Sequence, residues 1–423
     1  MQQSDKSQSV PSILSKVNIL RGDKVLWVII TVLFILSTLV VYSSVAKMGY
    51  ADMGTGTNAI FTKHLFVMAL AIITLFGTYM MGAKLLYKAS FWVYIFCLLL
   101  TVGVYFFGKQ TNSVARWYDF FGVSVQPSEL LKVATILFLA RLLDEAQQTI
   151  SKQRLIPSLN PRTWRTAKQK NIWLHGVVKI LLPIVLSAAV IVKAHNSSAM
   201  LVFGIGVVMM FIARAKKLEI AKFVGIILLF FGVYTLAGGG RGDTASSRIS
   251  SFFTSWTTTA EKTPVWQLSD AQRAMIAIHD GGVFGVGAGQ SVMRAKITHP
   301  ESDYIFSFFV EEYGIIMGML LVILYTWIFA RAVGIFRRSR WLFGGLLAIG
   351  MSLLVTVQAM LHFMVSTHLF FETGQNLPLI SHGGTSMICT AAALGIILSI
   401  SRQVNDRTLL PPEGIAAMSG TDE

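Results

Sequence analysis

Four carboxylates, Glu301, Asp303, Glu311 and Glu312, sit within HPESDYIFSFFVEE, residues 299–312, at the start of a run that is otherwise apolar. An acid held where water gives way to apolar surroundings has its pKa raised towards the range in which a carboxylate takes a proton from a hydroxyl. Two of the four also have plain structural uses: Asp303 suits an N-cap for a helix beginning at 304 or 305, and Glu301 suits the dipole of that helix. Glu311 and Glu312 are harder to dismiss, because they fall roughly two turns inside the apolar run, where acids are costly and are kept for function with a partner.

Other stretches carry polar chemistry next to apolar runs. Arg116 and Trp117 pair a bidentate phosphate binder with a ring that stacks on sugar faces; their plain alternative is a snorkelling Arg beside an interfacial Trp. QPSELLK, residues 126–132, opens a helix with Pro at an early position and sets Glu129 and Lys132 three apart on one face, as a structural ion pair or a substrate contact. TGQNLPLISHGGTSM, residues 373–387, interrupts two apolar runs with Gly, Pro and Ser, and irregular backbone at membrane depth is tolerated where protein buries it or where it lines a cavity. GGVFGVGAGQ, residues 281–290, lacks the Lys-Ser/Thr of a P-loop and follows no strand signal, so it reads as a flexible or closely packed turn rather than a nucleotide site.

The elements that must position these residues are membrane spans. Of the 423 residues 54% are hydrophobic and 13% charged, and the apolar residues come in blocks. Ten runs approach the length needed to cross a bilayer, near 25–46, 65–83, 89–107, 127–143, 176–192, 198–213, 222–238, 305–331, 343–371 and 384–401. The fold expected is an all-α polytopic membrane protein of about ten helices. The first run follows a polar tail and lacks a small-residue cleavage pattern, so it is read as a retained span.

The net charge of +15 is distributed as a topology signal rather than a nucleic-acid footprint. Basic residues concentrate in the N-terminal tail and in alternate loops, which places both termini in the cytoplasm, with RRSR at 337–340 and the cluster from Arg154 to Lys170 as solvated cytoplasmic faces. The chain then divides into a cytoplasmic tail over 1–24, a membrane domain over 25–401 and a cytoplasmic tail over 402–423. Within the domain the longest loop, 239–304, is extracytoplasmic and lies between helices 7 and 8. Its segment 265–278 has apolar positions at helical spacing, as a helix lying in the membrane interface would. Cys97 and Cys389 fall inside spans and are read as packing residues.

In order along the chain, RW at 116–117, QPSELLK at 126–132, RISSFF at 248–253, WQ at 266–267, the glycine run from 281, PESDYIF from 300, EEYG from 311 and LPLISHGGTS at 377–386 resemble the SEDS family (shape, elongation, division and sporulation) of FtsW and RodA. The resemblance implies a peptidoglycan glycosyltransferase that polymerises lipid II at the outer face of the bacterial cytoplasmic membrane. It also implies a class B penicillin-binding protein transpeptidase as partner, among other divisome membrane proteins. The family's essential aspartate falls on Asp303. Three departures stand out. The usual Thr-Asp-Phe is Ser302, Asp303 and Tyr304, with one residue missing before the Asp. The usual Tyr and first Ser of I-S-Y-G-G-S-S are His382 and Thr385. The usual P-D-x-G-T is replaced by AHNSSA, residues 194–199, so nothing is carried over there.

On that resemblance Asp303 is the candidate general base, and the candidate substrate-binding residues are Arg116, Trp117, Glu129, Lys132, Arg248, Ser381, Gly383, Gly384 and Thr385. Glu301, Glu311 and Glu312 support them. No dedicated metal cage is visible; Mg or Mn remains open as a helper of the pyrophosphate leaving group. Three other readings stay open, a flippase for a lipid-linked precursor, a non-catalytic scaffold that only recruits a synthase, and an elongation-type polymerase, although the polar tails lean towards the division member.

Overall fold

The computed structural model describes residues 20–51, 57–111, 114–120, 123–150, 177–236, 242–257, 268–297, 303–381, 383–407 and 409. The cluster from Arg154 to Lys170, Glu301, His382 and the C-terminal tail beyond 409 lie outside these, as does WQ at 266–267.

Helices α1 (Lys24–Ala51), α2 (Thr57–Met80) and α3 (Ala83–Phe107) come first. A small antiparallel sheet follows, β1 (Lys109–Thr111), β2 (Val114–Phe120) and β3 (Val123–Val125), in the order β1-β2-β3. It is the departure from an all-helical chain among the described residues. Then come α4 (Pro127–Glu145), α5 (Leu182–Ala194, entered through a π turn at Val177–Leu181), α6 (Asn196–Ile212) and α7 (Lys217–Leu236). The long connection carries α8 (Gly242–Thr257) and α9 (Asp270–Gly281), and the chain ends in α10 (Ile305–Arg338), α11 (Leu342–Ser366) and α12 (Gly384–Asn405). Ten of these helices overlap the ten apolar runs, with ends that differ by as much as a turn or two.

Six helices, α1, α2, α3, α10, α11 and α12, are long and apolar enough to cross a membrane among the described residues. α6 is shorter, and α4 and α7 carry charges in their sequence. In α11 and α12 83% of the apolar window is buried, against 22% in α2, so α11 and α12 form the centre of the bundle and α2 lies at its rim. Rim helices turn large apolar side chains outward, among them Trp92, Phe96, Phe106, Phe107, Leu229 and Phe230. Only a hydrocarbon surround makes such a surface favourable, and the helices satisfy their own backbone within it. The chain is a mostly helical, polytopic membrane-embedded protein.

The sheet, the α5–α6 turn, α8, the start of α10 and the irregular stretch between α11 and α12 gather at one end of the bundle, called here the sheet end. α9 begins at Ser269, whose hydroxyl accepts the Gln272 N–H while Gln272 Oε1 accepts the Ser269 N–H, a capping box, and the helix then packs along α10 with Ala274 and Ala277 buried. Cys97 and Cys389 are buried free thiols in α3 and α12.

Candidate active site

Asp303 is half-buried immediately before α10, next to the buried Tyr304. The Tyr304 hydroxyl donates to the Glu372 carboxylate. Burial first, then the nearby charges of Glu372, Asp270 and Asp303, pushes the Tyr304 phenol far above its usual range, so it stays a hydrogen-bond donor. The Glu372 carbonyl accepts from Arg248 Nη1 at 3.2 Å, which ties α8 to the stretch between α11 and α12.

Residues 372–376, ETGQN, are irregular in backbone yet held on every side. Ser197 Oγ donates to the Thr373 carbonyl at 2.7 Å. Gln375 Nε2 donates to Ser197 Oγ and Ser198 Oγ, each at 2.9 Å, and approaches His195 Nδ1 at 3.3 Å. His362 Nδ1 meets the Gln375 carbonyl at 2.8 Å, and Gln358 Nε2 donates to the Asn376 carbonyl at 3.0 Å. An amide N–H facing His195 Nδ1 makes that nitrogen the acceptor, and the other ring nitrogen bonds the Gly374 carbonyl. Burial, followed by the charges of Lys132 and Arg248, pushes the His195 pKa from 6.5 down to about 4. His195 is therefore a neutral strut between the α5–α6 turn and the irregular stretch.

The sign of the resulting pH dependence follows from that depression. Folded His195 resists a proton that the unfolded chain accepts, so stability is fully present above about pH 6.5 and declines as pH falls towards about 4. We expect thermal denaturation midpoints in detergent to fall over that window and His195→Gln to flatten part of the fall.

The α4 pair forms as its spacing suggests. Lys132 Nζ lies 2.8 Å from Glu129 Oε1 and donates to Gln358 Oε1 at 3.4 Å, with the Lys132 side chain only 1% exposed. Thr385, at the start of α12, accepts the Gln126 N–H at 3.0 Å and donates to the Ser124 carbonyl at 3.0 Å, joining β3 and α4 to the central helix. Ser381 Oγ accepts the Leu377 N–H at 2.7 Å, so Thr385 and Ser381 both hold backbone. A Cβ on Gly383 would meet Asn376 Nδ2 at 2.7 Å, whereas Gly384 has only Val67 nearby, at 3.8 Å. Trp117 stands opposite Lys109 in the sheet, which packs on α3, α4 and α5.

Several buried polar atoms at this end have no protein partner among the described residues: Arg116 Nε and Nη2, Ser128 Oγ, Asn196 Oδ1, Ser366 Oγ and Thr373 Oγ1. Buried polar groups are ordinarily satisfied, so these atoms leave hydrogen-bonding capacity at this end for water or a polar ligand.

Glu311 and Glu312 serve a different structure. Glu311 accepts from Ser291 Oγ at 2.5 Å and from the Val292 and Met293 N–H groups at 2.8 and 3.3 Å. Glu312 accepts from Ser43 Oγ of α1 at 2.5 Å and pairs with Arg294 Nη1 at 3.5 Å. The helix kinks at Gly314 (φ 84°), and the freed Glu311 and Glu312 carbonyls accept the Val286 and Gly287 N–H groups at 2.9 and 3.0 Å. The glycine run from 281 is thus spliced into the kink of α10. A Cβ on Gly285 would fall 2.2 Å from the Glu312 carbonyl oxygen at φ +83°. Gly285→Ala is expected to cost about 3 kcal/mol or more, read as a lower denaturation midpoint and less folded protein after extraction.

Glu372, His195, Ser197, Ser198 and Gln375 join this network without any local sequence pattern that predicts it. Their only signals were a lone acid beside TGQN and the substituted AHNSSA turn, and neither reveals a contact between segments far apart in the chain.

The cell cycle protein family model of FtsW, RodA and SpoVE matches residues 23–406. Stage V sporulation protein E of Bacillus subtilis is 29% identical over 398 residues, covering 90% of this chain and 97% of that one. The probable peptidoglycan glycosyltransferase FtsW of Thioalkalivibrio sulfidiphilus is 28% identical over 88% of each chain. Among solved structures, a chain of a peptidoglycan synthase complex that coordinates polymerization and crosslinking aligns with TM-score 0.63 at 19% identity, over 90% of this chain and 98% of that one. The rod shape determining protein RodA of Thermus thermophilus aligns with TM-score 0.59 at 18% identity, over 90% and 97%.

Proposed function

Because the chain belongs to the cell cycle protein family of FtsW, RodA and SpoVE, we propose that it is a peptidoglycan glycosyltransferase polymerising lipid II for septal wall synthesis, with Asp303 as general base. The observation that carries the reading is the sheet end itself, where a half-buried Asp303 stands beside the Tyr304–Glu372 pair and Arg248 reaches the same glutamate.

In the proposed reaction the 4-hydroxyl of the acceptor sugar attacks C1 of the donor, the C1–O bond to undecaprenyl pyrophosphate breaks, and Asp303 takes the hydroxyl proton. Arg116, Arg248 and Lys132 supply positive charge for the pyrophosphates, with Trp117 against a sugar face. Glu129 holds Lys132, while Ser381, Gly383, Gly384 and Thr385 shape the wall at the start of α12. Glu311 and Glu312 act through the loop they anchor, and Glu301 lies just before the base. Mg or Mn remains an optional helper at the leaving group; among the described residues no group of three or more His, Cys, Asp and Glu stands ready to hold it.

All ten helices span the bacterial cytoplasmic membrane in this reading, with both termini in the cytoplasm and the sheet end outside, as the distribution of basic residues supports. The partner is a class B penicillin-binding protein that cross-links the strands, alongside other divisome proteins. Reconstitution with that transpeptidase and labelled lipid II tests the reading. Glycan ladders on a gel support it, whereas movement of lipid II between leaflets without polymer would replace it with a flippase.

A further inference from the structure

We propose that a cavity of about 470 Å³ at the end of the bundle opposite the sheet binds the phosphate headgroup of an anionic phospholipid. It opens between the end of α10 and the end of α12 and is lined by Arg338, Arg340 and Arg407, with Asn405 beside them and Val404 and Leu409 as apolar wall. Among the described residues no carboxylate lines it, and no ion pair uses any of the three arginines. Arg338 is oriented by its own neighbours, donating from Nε to the Gly334 carbonyl at 3.2 Å and from Nη1 to Asn405 Oδ1 at 3.4 Å. Three guanidinium groups around one opening match phosphate oxygens in number and geometry.

Depth selects a lipid as the occupant. α12 runs for 22 residues, about 33 Å at 1.5 Å per residue, close to the thickness of a hydrocarbon core. Its last residues therefore reach headgroup level when its first residues lie at the opposite interface. Val404 and Leu409 give an apolar wall where a glycerol and the first acyl carbons would pass, and anionic headgroups at that level are drawn to basic side chains. The inference rests on the membrane embedding of α10 and α12 and not on the chemistry proposed at the sheet end.

The test uses full-length protein extracted from bilayers of equal phosphatidylglycerol and phosphatidylcholine, with co-purifying lipid counted by native mass spectrometry. Wild type is expected to retain phosphatidylglycerol over phosphatidylcholine by about tenfold or more, and the triple variant Arg338→Gln, Arg340→Gln, Arg407→Gln to fall to parity. The charge-matched variant Lys84→Gln, Lys88→Gln, Lys217→Gln, changed elsewhere on that end, should keep the preference, and single Arg407→Gln should lower it if the triple variant folds poorly. Equal enrichment by wild type and cavity variants would overturn the proposal in favour of a diffuse basic belt. Displacement of the lipid by inorganic phosphate would overturn it in favour of a free-anion site, and displacement by a polyglutamate peptide in favour of an acidic protein partner.

Discussion

Asp303→Asn is expected to lower glycan polymerisation by about 10²–10⁴-fold while leaving the protein folded. The substitution keeps the shape of the side chain and removes only its capacity to take a proton. Asp303 is half-buried ahead of α10, whose N-cap is Tyr304 with no side-chain cap, so the substitution removes no helix cap. A denaturation midpoint within a few degrees of wild type, with lost polymer, separates a chemical role from a structural one. Asp303→Glu should return part of the activity, since a carboxylate is restored at a shifted position. A merely capping Asp303 would instead lose stability and keep its rate.

The second large effect concerns α4. Lys132→Met leaves Glu129 buried without its partner at the foot of the sheet, and breaking a buried pair of this kind costs about 3–5 kcal/mol. Adding Glu129→Gln removes the stranded charge, so the double variant should regain most of that stability. Activity should stay low in the double variant, because the positive charge offered to a pyrophosphate is gone. If the double variant polymerises as well as wild type, the pair is structural only. The comparison needs both the denaturation midpoint and the rate, since either alone leaves the two roles mixed.

What the sequence made legible follows from the range over which each signal acts. Helix positions came through because a bilayer demands long apolar runs, and α10, α11 and α12 lie where the composition put them. The Glu129–Lys132 pair was visible because it is a local spacing on one helix face. The glycine run from 281 has the composition of a turn, but its purpose depends on Gly314, whose kink exposes the two carbonyls that the run caps. Nothing in the local pattern announced that meeting. Glu311 and Glu312 drew notice as intramembrane acids, and the structure gives them Ser43, Ser291, the Val292 and Met293 amides, and Arg294 as partners. The apolar spacing predicts a helix over 265–278, and α9 runs instead over Asp270–Gly281, opened by the capping box of Ser269 and Gln272. Glu372 and His195 stayed hidden, because their roles come from tertiary contacts to Tyr304 and Gln375.

The most direct measurement is a glycan gel of labelled lipid II incubated with purified protein and its cognate transpeptidase, comparing wild type with Asp303→Ala at matched folded protein. Polymer from wild type and none from Asp303→Ala is the predicted result. Polymer from both would place the base elsewhere, and polymer from neither, with the partner present and folded, would contradict the assignment of a polymerase.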